Sequence, residues 1–230
     1  MMPLLALALA AAGPDTVTVR PVDQVPAADH LADSAAWGTS QIGIRTGQGA
    51  ASVWLLRVAD SVYIVAAIPD STLYWGDDLV VSLDTEGDRA AAPQHDDFQW
   101  YFRRTLDSSV VYRGRAGQWD PPQGDPDWRL RGERWGAGWD VRAAERPGGG
   151  GWTLVLRLDA GWLELARGRP GLAMRVYDNA PGGWHAWPTP PEGTHPARVE
   201  RQPALWGVVT SIGPTESSGA EPRDGRGTTP

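Results

Sequence analysis

The chain has no cysteine, and its 21 basic residues are all arginine, so it has no lysine either. The lack of cysteine excludes thiolate nucleophiles, disulfides, iron–sulfur clusters and thiolate zinc sites. The lack of lysine excludes Schiff-base and pyridoxal chemistry, which needs a lysine amine. The net charge of −7 provides no attraction for nucleic acid or an anionic membrane. At 230 residues the chain is long enough for one well-buried domain.

Long apolar runs are also lacking, so we predict no membrane span. The longest run, residues 4–12, is too short to cross a bilayer and ends in Ala10, Ala11 and Ala12. Small residues in an A-x-A pattern after an apolar run are typical of a signal peptide cleavage site. We therefore expect residues 1–12 to be a signal peptide and the protein to be exported to the periplasm or outside the cell.

Local signatures of catalysis are missing as well. The sequence has no G-x-S-x-G elbow and no H-E-x-x-H zinc motif. Two carboxylates at the right separation are enough for a glycosidase, but aspartate also favours polar loops and strand ends. The histidines lie in loop-like sequence: His30, His95, His185 and His195. The sequence predicts that the chain is not an enzyme.

What the sequence has in abundance is short segments of alternating hydrophobicity, punctuated by 28 glycines and 20 prolines. Residues 53–59 and 62–68 predict a hairpin, and residues 152–158 show the clearest two-residue period. Four glycines at 148–151 are typical of a hairpin tip. This pattern predicts an all-β fold, a single antiparallel β-sandwich of jelly-roll or immunoglobulin-like type. Residues 13–213 form that domain, residues 161–167 predict one short helix, and residues 214–230 predict a disordered tail.

Tryptophan is unusually frequent, with 13 residues against two phenylalanines. Trp54, Trp100 and Trp152 lie on apolar strand faces and are predicted to be core residues. Others lie in turn-rich sequence, where an exposed indole suits stacking against the C–H face of a sugar ring. The alternative is that the loop tryptophans cap the open ends of the sandwich. The loop tryptophans are Trp75, Trp119, Trp184 and Trp187.

The stretch DTEGD carries acids at alternate positions around a glycine. Asp84, Glu86 and Asp88 would offer the oxygen ligands that a calcium ion prefers. A solvated acidic turn is the alternative interpretation of the same stretch. Calcium is thus the one cofactor that the residues indicate.

Several segments, taken in order, resemble carbohydrate-binding module family 9, within the wider DOMON-like group of β-sandwiches. The resemblance covers residues 51–210 and includes WGDDLVVSLDT (75–85), DDFQWYF (96–102), GWTLVLRLDAGWL (151–163) and MRVYDN (174–179). It implies a β-sandwich that grips sugar chain ends between two tryptophans, with polar residues assisting and calcium in structural sites. Val80 stands where the family pattern has a glutamate.

In this chain, the resemblance implies that Trp75 corresponds to the first of the two tryptophans that grip the sugar, and that Trp187 lies near the position of the second. Tyr101 stands where an arginine would serve the ligand. The predicted carbohydrate-binding residues are Trp75, Tyr101, Arg103, Trp184 and Trp187.

The leading hypothesis is therefore an exported, non-catalytic protein that binds an oligosaccharide or polysaccharide and is linked to polysaccharide breakdown. Its protein partner would be an envelope protein or a glycoside hydrolase. One alternative is a ligand-free structural or interaction domain of the cell envelope, since fold does not imply function. Another is a haem-binding DOMON-like redox domain, with Met174 and a histidine as axial ligands, although no haem is expected.

Overall fold

A computed structural model of the chain describes residues 15–24, 37–106, 108–120, 138–159, 169–179 and 182–210. These residues form two β-sheets packed face to face, which confirms the predicted all-β sandwich. The predicted signal peptide, the helix at 161–167 and the C-terminal tail lie outside the described residues. Within the described residues, no helix is long and apolar enough to cross a membrane.

The alternating segments become fourteen strands among the described residues. They are β1 (Thr16–Thr18), β2 (Arg20–Pro21), β3 (Ile42–Thr46), β4 (Gly49–Val58), β5 (Ser61–Ile68), β6 (Asp78–Asp84), β7 (Asp97–Arg103), β8 (Ser108–Arg115), β9 (Gln118–Asp120), β10 (Trp139–Glu145), β11 (Trp152–Asp159), β12 (Gly171–Asp178), β13 (Gly183–Trp187) and β14 (Gly207–Thr210). The described residues also form three short 3₁₀ helices, Arg104–Leu106, Pro196–Arg201 and Pro203–Leu205.

The larger sheet has the strand order β1-β14-β12-β6-β7-β8-β9, and β13 also pairs with β12. The smaller sheet has the order β10-β11-β5-β4-β2, with β3 also paired to β4. The pairings are antiparallel except for β1 with β14 and β2 with β4, which are parallel. The sandwich is therefore antiparallel apart from two short pairings made by the first strands of the chain.

The main core lies between the sheets because alternate residues of each strand are apolar. Trp100 and Trp152 are buried there, as predicted, and their exposed fractions are 3% and 1%. Trp54 is also buried, but on the outer face of the smaller sheet, where it packs with Trp37. The difference follows from the strand period, since Val53 and Leu55 on either side of Trp54 face the main core.

The predicted hairpin tip at the four glycines joins β10 to β11. Gly148, Gly149 and Gly150 have φ angles of 81°, 79° and 85°, a left-handed conformation that side chains other than glycine rarely adopt. The Arg146 N–H donates to the Gly151 carbonyl at 2.9 Å and closes the turn. The glycine run is thus a turn within the domain.

Candidate functional site

The outer face of the larger sheet, directed away from the core, gathers most of the predicted ligand-binding residues. Asp78 on β6 pairs with Arg103 on β7, and Tyr101 lies two residues along the same face of β7. On β12 and β13, Tyr177 pairs with Trp184. Because all four strands belong to one sheet, these side chains project from neighbouring positions on a single surface.

Trp75 lies in the loop between β5 and β6, and 65% of its surface is exposed. Asp77 shapes this loop: its carboxylate accepts the Tyr74 N–H at 2.7 Å, and its own N–H donates to the Tyr74 carbonyl at 3.0 Å. Gly76 is pressed against Tyr177, since a Cβ at this glycine would lie 3.2 Å from a ring carbon of the tyrosine. The loop is held down on both sides of Trp75 while the indole projects into solvent.

Arg103 connects Trp75 to the sheet. Its guanidinium carbon lies 4.2 Å from the centre of the Trp75 ring, a cation–π contact. The same group forms a bidentate pair with Asp78, with Nε to Oδ1 at 2.9 Å and Nη2 to Oδ2 at 3.1 Å. The Tyr101 hydroxyl donates to Asp78 Oδ2. One carboxylate and one guanidinium leave this group of side chains electrically neutral.

These contacts also keep the protonation states fixed around neutral pH. Burial, followed by the hydrogen bond to Asp78, raises the pKa of Tyr101 above its ordinary value, so the hydroxyl stays protonated. The hydrogen bond to Asp78 raises the pKa of Arg103. The Tyr101 hydroxyl and the Arg103 guanidinium therefore keep their protons near neutral pH.

Further aromatic rings complete the surface. The Trp184 ring lies edge-on to Tyr101, with ring centres 6.5 Å apart, and edge-on to Tyr177 at 5.3 Å. Tyr177 in turn stacks on Tyr74 at 6.4 Å. We call this group the Trp75 site; its members are Tyr74, Trp75, Asp78, Tyr101, Arg103, Tyr177 and Trp184.

One face of Trp184 is already covered from within the protein. The Arg175 guanidinium carbon lies 3.7 Å from the centre of the indole and forms an ion pair with Glu200. Gln99 donates to the same carboxylate at 3.5 Å. Burial lowers the pKa of Arg175 and raises that of Glu200. Only the remaining face and edges of Trp184 can meet a ligand.

Trp187 is not brought to the Trp75 site. It pairs with Met174 across β13 and β12 and packs against the main core, whereas Trp184 lies three residues earlier on the other face of β13. A Cβ at Gly207 would lie 2.4 Å from the Trp187 ring, so the indole fills space against that backbone. Of the five predicted residues, the structure groups Trp75, Tyr101, Arg103 and Trp184.

The sequence analysis missed Tyr74, Asp78 and Tyr177 as members of the site. A signal for Tyr177 exists in β12, where Ala173, Arg175 and Tyr177 alternate with the core residues of that strand. Tyr74 carries no such signal, because it lies in a loop whose path depends on tertiary contacts.

A separate group of carboxylates lies at the other end of β6. One oxygen from each of Asp84, Asp88 and Asp96 falls within 4.8 Å of the others. Asp84 accepts the N–H groups of Gly87 at 2.6 Å and Arg89 at 3.0 Å, which bends the chain back after the strand. The predicted ligand Glu86 is exposed and lies outside this group, and Asp96 joins it instead.

The residues of this acidic group fit a hard cation. Burial raises the pKa of Asp84, and it raises the pKa of the adjacent Asp97 to about 8. Asp96 Oδ2 is buried without a hydrogen-bond partner, an arrangement that is costly for a carboxylate unless another charge compensates it. Carboxylate oxygens are the ligands that calcium prefers.

No protein-family model matches the chain, and no curated protein matches it. Two solved structures of a carbohydrate-binding module family 9 from Caldicellulosiruptor kristjanssonii are similar to it. The structure in complex with cellotriose has a TM-score of 0.57 and 16% identity, covering 90% of this chain and 98% of that one. The structure in complex with glucose has a TM-score of 0.56 and 16% identity, covering 88% and 98%.

At this level of identity the similarity concerns the fold. The chain has a fold like that of carbohydrate-binding module family 9, which confirms the fold that the resemblance implied. Membership of the wider DOMON-like group stays a prediction.

Proposed function

We propose that the chain is an exported, non-catalytic carbohydrate-binding module whose ligand stacks on Trp75. The observation that carries the proposal is the exposed Trp75 indole, which contacts Arg103 beside the hydrogen-bonded pair of Arg103 and Asp78. A large exposed aromatic ring with one face backed by a cation leaves its other face for a flat apolar partner. The signal-peptide pattern at residues 1–12 supports the exported location.

The chemistry of the Trp75 site suits an uncharged sugar. Asp78 and Arg103 cancel each other's charge, while Tyr101 and the outer edge of Trp184 add polar contacts around the indole. Because the two structures of similar fold hold cellotriose and glucose, we assign this chain a glucose-based oligosaccharide as ligand. With such a ligand, we propose that the chain takes part in polysaccharide breakdown, beside a glycoside hydrolase or an envelope protein.

Calorimetric titration of the full chain with cellotriose tests the proposal. We expect Trp75→Ala to weaken binding by roughly 2 kcal/mol, about thirtyfold, because a central tryptophan dominates such interfaces. Leu106→Ala is the matched control: Leu106 is 52% exposed and apolar but does not belong to the Trp75 site. Equal affinity of Trp75→Ala and wild type would overturn the proposal, as would failure of the wild type to bind any glucan oligomer.

The haem alternative has less support from the geometry. Met174 would have to be an axial ligand, yet it is 1% exposed and packs among apolar side chains between the sheets. That packing does not fit a thioether that faces a bound macrocycle. The other alternative is a ligand-free structural or interaction domain of the cell envelope. Such a domain would not bind cellotriose, so the titration separates it from the proposal.

A calcium ion held by Asp84, Asp88 and Asp96 is the second part of the proposal. The support is the convergence of three carboxylates within 4.8 Å, together with the unpartnered oxygen of Asp96. A bound calcium ion would supply positive charge to an acidic group in which Asp84 and Asp96 are buried, and it would join the turn after β6 to the start of β7. Its role would be structural, at a distance from the sugar ligand.

A further inference from the structure

A cleft separate from the Trp75 site opens on the outer face of the larger sheet. Its volume is about 400 Å³, within the range of small-molecule sites, and it is lined by Pro93, Gly117, Gln118, Trp119 and Arg201. Arg103 at the Trp75 site pairs with Ser108 at the start of β8, and the cleft lies beyond Arg115 at the end of that strand. Seven residue steps along β8 correspond to about 23 Å between the Arg103 end of the strand and the end near the cleft. Trp184 of the Trp75 site is nearer, since Arg175 and Glu200 link it to Arg201 of the cleft.

The wall of the cleft is rigidly built. The hairpin from β8 to β9 is pressed against the loop before β7: a Cβ at Gly114 would lie 2.1 Å from the Gln94 carbonyl oxygen. The Gly117 N–H donates to the Pro93 carbonyl at 2.9 Å. Such close contact between two backbone segments preserves the shape of the cleft in the absence of a ligand.

Trp119 supplies the aromatic side of the cleft. Its ring is parallel to Trp206 within 6°, with ring centres 6.4 Å apart, and Trp206 is anchored by a hydrogen bond from Nε1 to the Val199 carbonyl at 2.6 Å. Trp119 is therefore held in place from one side. Its own Nε1 is buried, whereas the residue as a whole is half-buried, so a ligand in the cleft meets the ring of Trp119 and not its N–H.

The cleft is also positively charged. Glu200 forms an ion pair with Arg175, and Arg201 Nε lies 3.9 Å from the other oxygen of the same carboxylate. Two guanidinium groups and one carboxylate leave one positive charge. Arg201 is 74% exposed, so this charge is directed to the mouth of the cleft. Asp120, on the hairpin, is 3.4 Å from Arg115 and is paired there.

We propose that this cleft is a second binding site, which takes a sugar ring carrying a carboxylate, such as a uronic acid residue of an acidic polysaccharide. Trp119 provides the stacking surface, Gln118 hydrogen-bonds the hydroxyls, and Arg201 pairs with the carboxylate. The neutral Trp75 site and the positively charged cleft would then select different sugars on one face of the same domain.

The test uses the full chain with Trp75→Ala, which removes the first site, so its result does not depend on the proposed function. Trigalacturonate and cellotriose are titrated in parallel, and the indole N–H signal of Trp119 is followed by ¹H–¹⁵N NMR. We expect trigalacturonate to shift that signal and to bind more weakly as salt is raised. Adding Arg201→Gln should lower its affinity about tenfold.

Arg198→Gln is the matched control, because Arg198 is an exposed arginine of the same 3₁₀ helix that does not line the cleft. It should leave the affinity for trigalacturonate unchanged. Gln118→Ala, at an exposed side chain that lines the cleft, should also weaken the binding of trigalacturonate. Equal binding of cellotriose and trigalacturonate would overturn the inference, and so would an unmoved Trp119 signal or equal effects of Arg198→Gln and Arg201→Gln.

Discussion

The two ends of β6 carry the same residue type, aspartate, in opposite electrostatic settings. At the start of the strand, Asp78 pairs with Arg103 at 2.9 Å and Asp77 with Arg104 at 3.2 Å. At the end, the structure gives the group around Asp84 one ion pair among the described residues, from the exposed His95 to Asp96 at 3.7 Å. The Asp78–Arg103 pair matches its charges within the chain and makes the start of β6 the balanced end; Arg104 there also pairs with Asp70 and Glu145. No arginine among the described residues pairs with the acidic end around Asp84.

The pKa values of the buried aspartates also differ between the two ends of β6. Burial raises the pKa of Asp77 to about 6 even beside Arg104, and it raises that of Asp97, which has no arginine partner among the described residues, to about 8. Burial is the largest cause of both raised pKa values; Arg104 opposes it at Asp77, whereas the neighbouring carboxylates of Asp84, Asp96 and Asp88 add to it at Asp97. A charge-balanced end suits an uncharged ligand, and an acidic end suits a cation.

The largest expected effect concerns the balanced end. Arg103→Met should destabilise the fold by about 3 to 5 kcal/mol, because it leaves the buried Asp78 carboxylate without its partner. Urea unfolding measures this loss. The double variant Asp78→Asn with Arg103→Met should recover most of it. Arg115→Met removes one partner of an exposed ion pair and should cost less than about 1 kcal/mol. An equally small loss for Arg103→Met would show that the pair of Arg103 and Asp78 does not stabilise the start of β6.

The acidic end should respond to calcium. At a calcium concentration a hundred times the dissociation constant, the free energy of unfolding should rise by about 2.7 kcal/mol. This rise should appear as a higher Tm than in EDTA. Asp96→Asn should abolish the difference, because Asp96 belongs to the carboxylate group. Glu86→Gln should preserve it, since Glu86 lies outside that group. An unchanged Tm on adding calcium would contradict the cation site.

In EDTA the acidic end should also make stability depend on pH. The pKa of Asp97 is about 8 in the folded chain and about 4 when unfolded, so between these values the folded state holds a proton that the unfolded state has lost. Stability from this group is complete below pH 4 and is lost as the pH rises towards 8, by up to about 1.4 kcal/mol per pH unit. Asp97→Asn should flatten the slope measured by urea unfolding at pH 5 to 8. Identical slopes would contradict the assignment.

The smallest expected effect is on ligand affinity and concerns Trp184, at the edge of the Trp75 site. Trp184→Ala should lower cellotriose affinity about fivefold, close to 1 kcal/mol, because Arg175 already covers one face of that indole. Trp187→Ala should lower Tm and leave the affinity unchanged, since Trp187 packs against the core. Titration of both variants measures this, and a larger loss of affinity at Trp187 would reverse their roles.

Several parts of the molecule could be predicted from the sequence because they depend on local periodicity. Alternation in residues 152–158 placed β11 correctly, and the four glycines located the turn before it. Trp75 could be singled out because it lies in a loop next to an apolar strand. Trp184 and Trp187 could not be separated, because both lie in the same turn-rich stretch and only the pairing of β13 with β12 decides which faces outward.

By itself, the sequence determined the all-β class, the absence of thiol and lysine chemistry, and the excess of tryptophan, because these depend on composition and on a two-residue period. The tertiary structure decided which acids meet. Asp78 finds Arg103 through the register of β6 with β7, and Asp96 joins Asp84 across the turn between them while Glu86 points away. Charges interact through space over a few ångströms, so separation along the chain could not distinguish the balanced end of β6 from the acidic one.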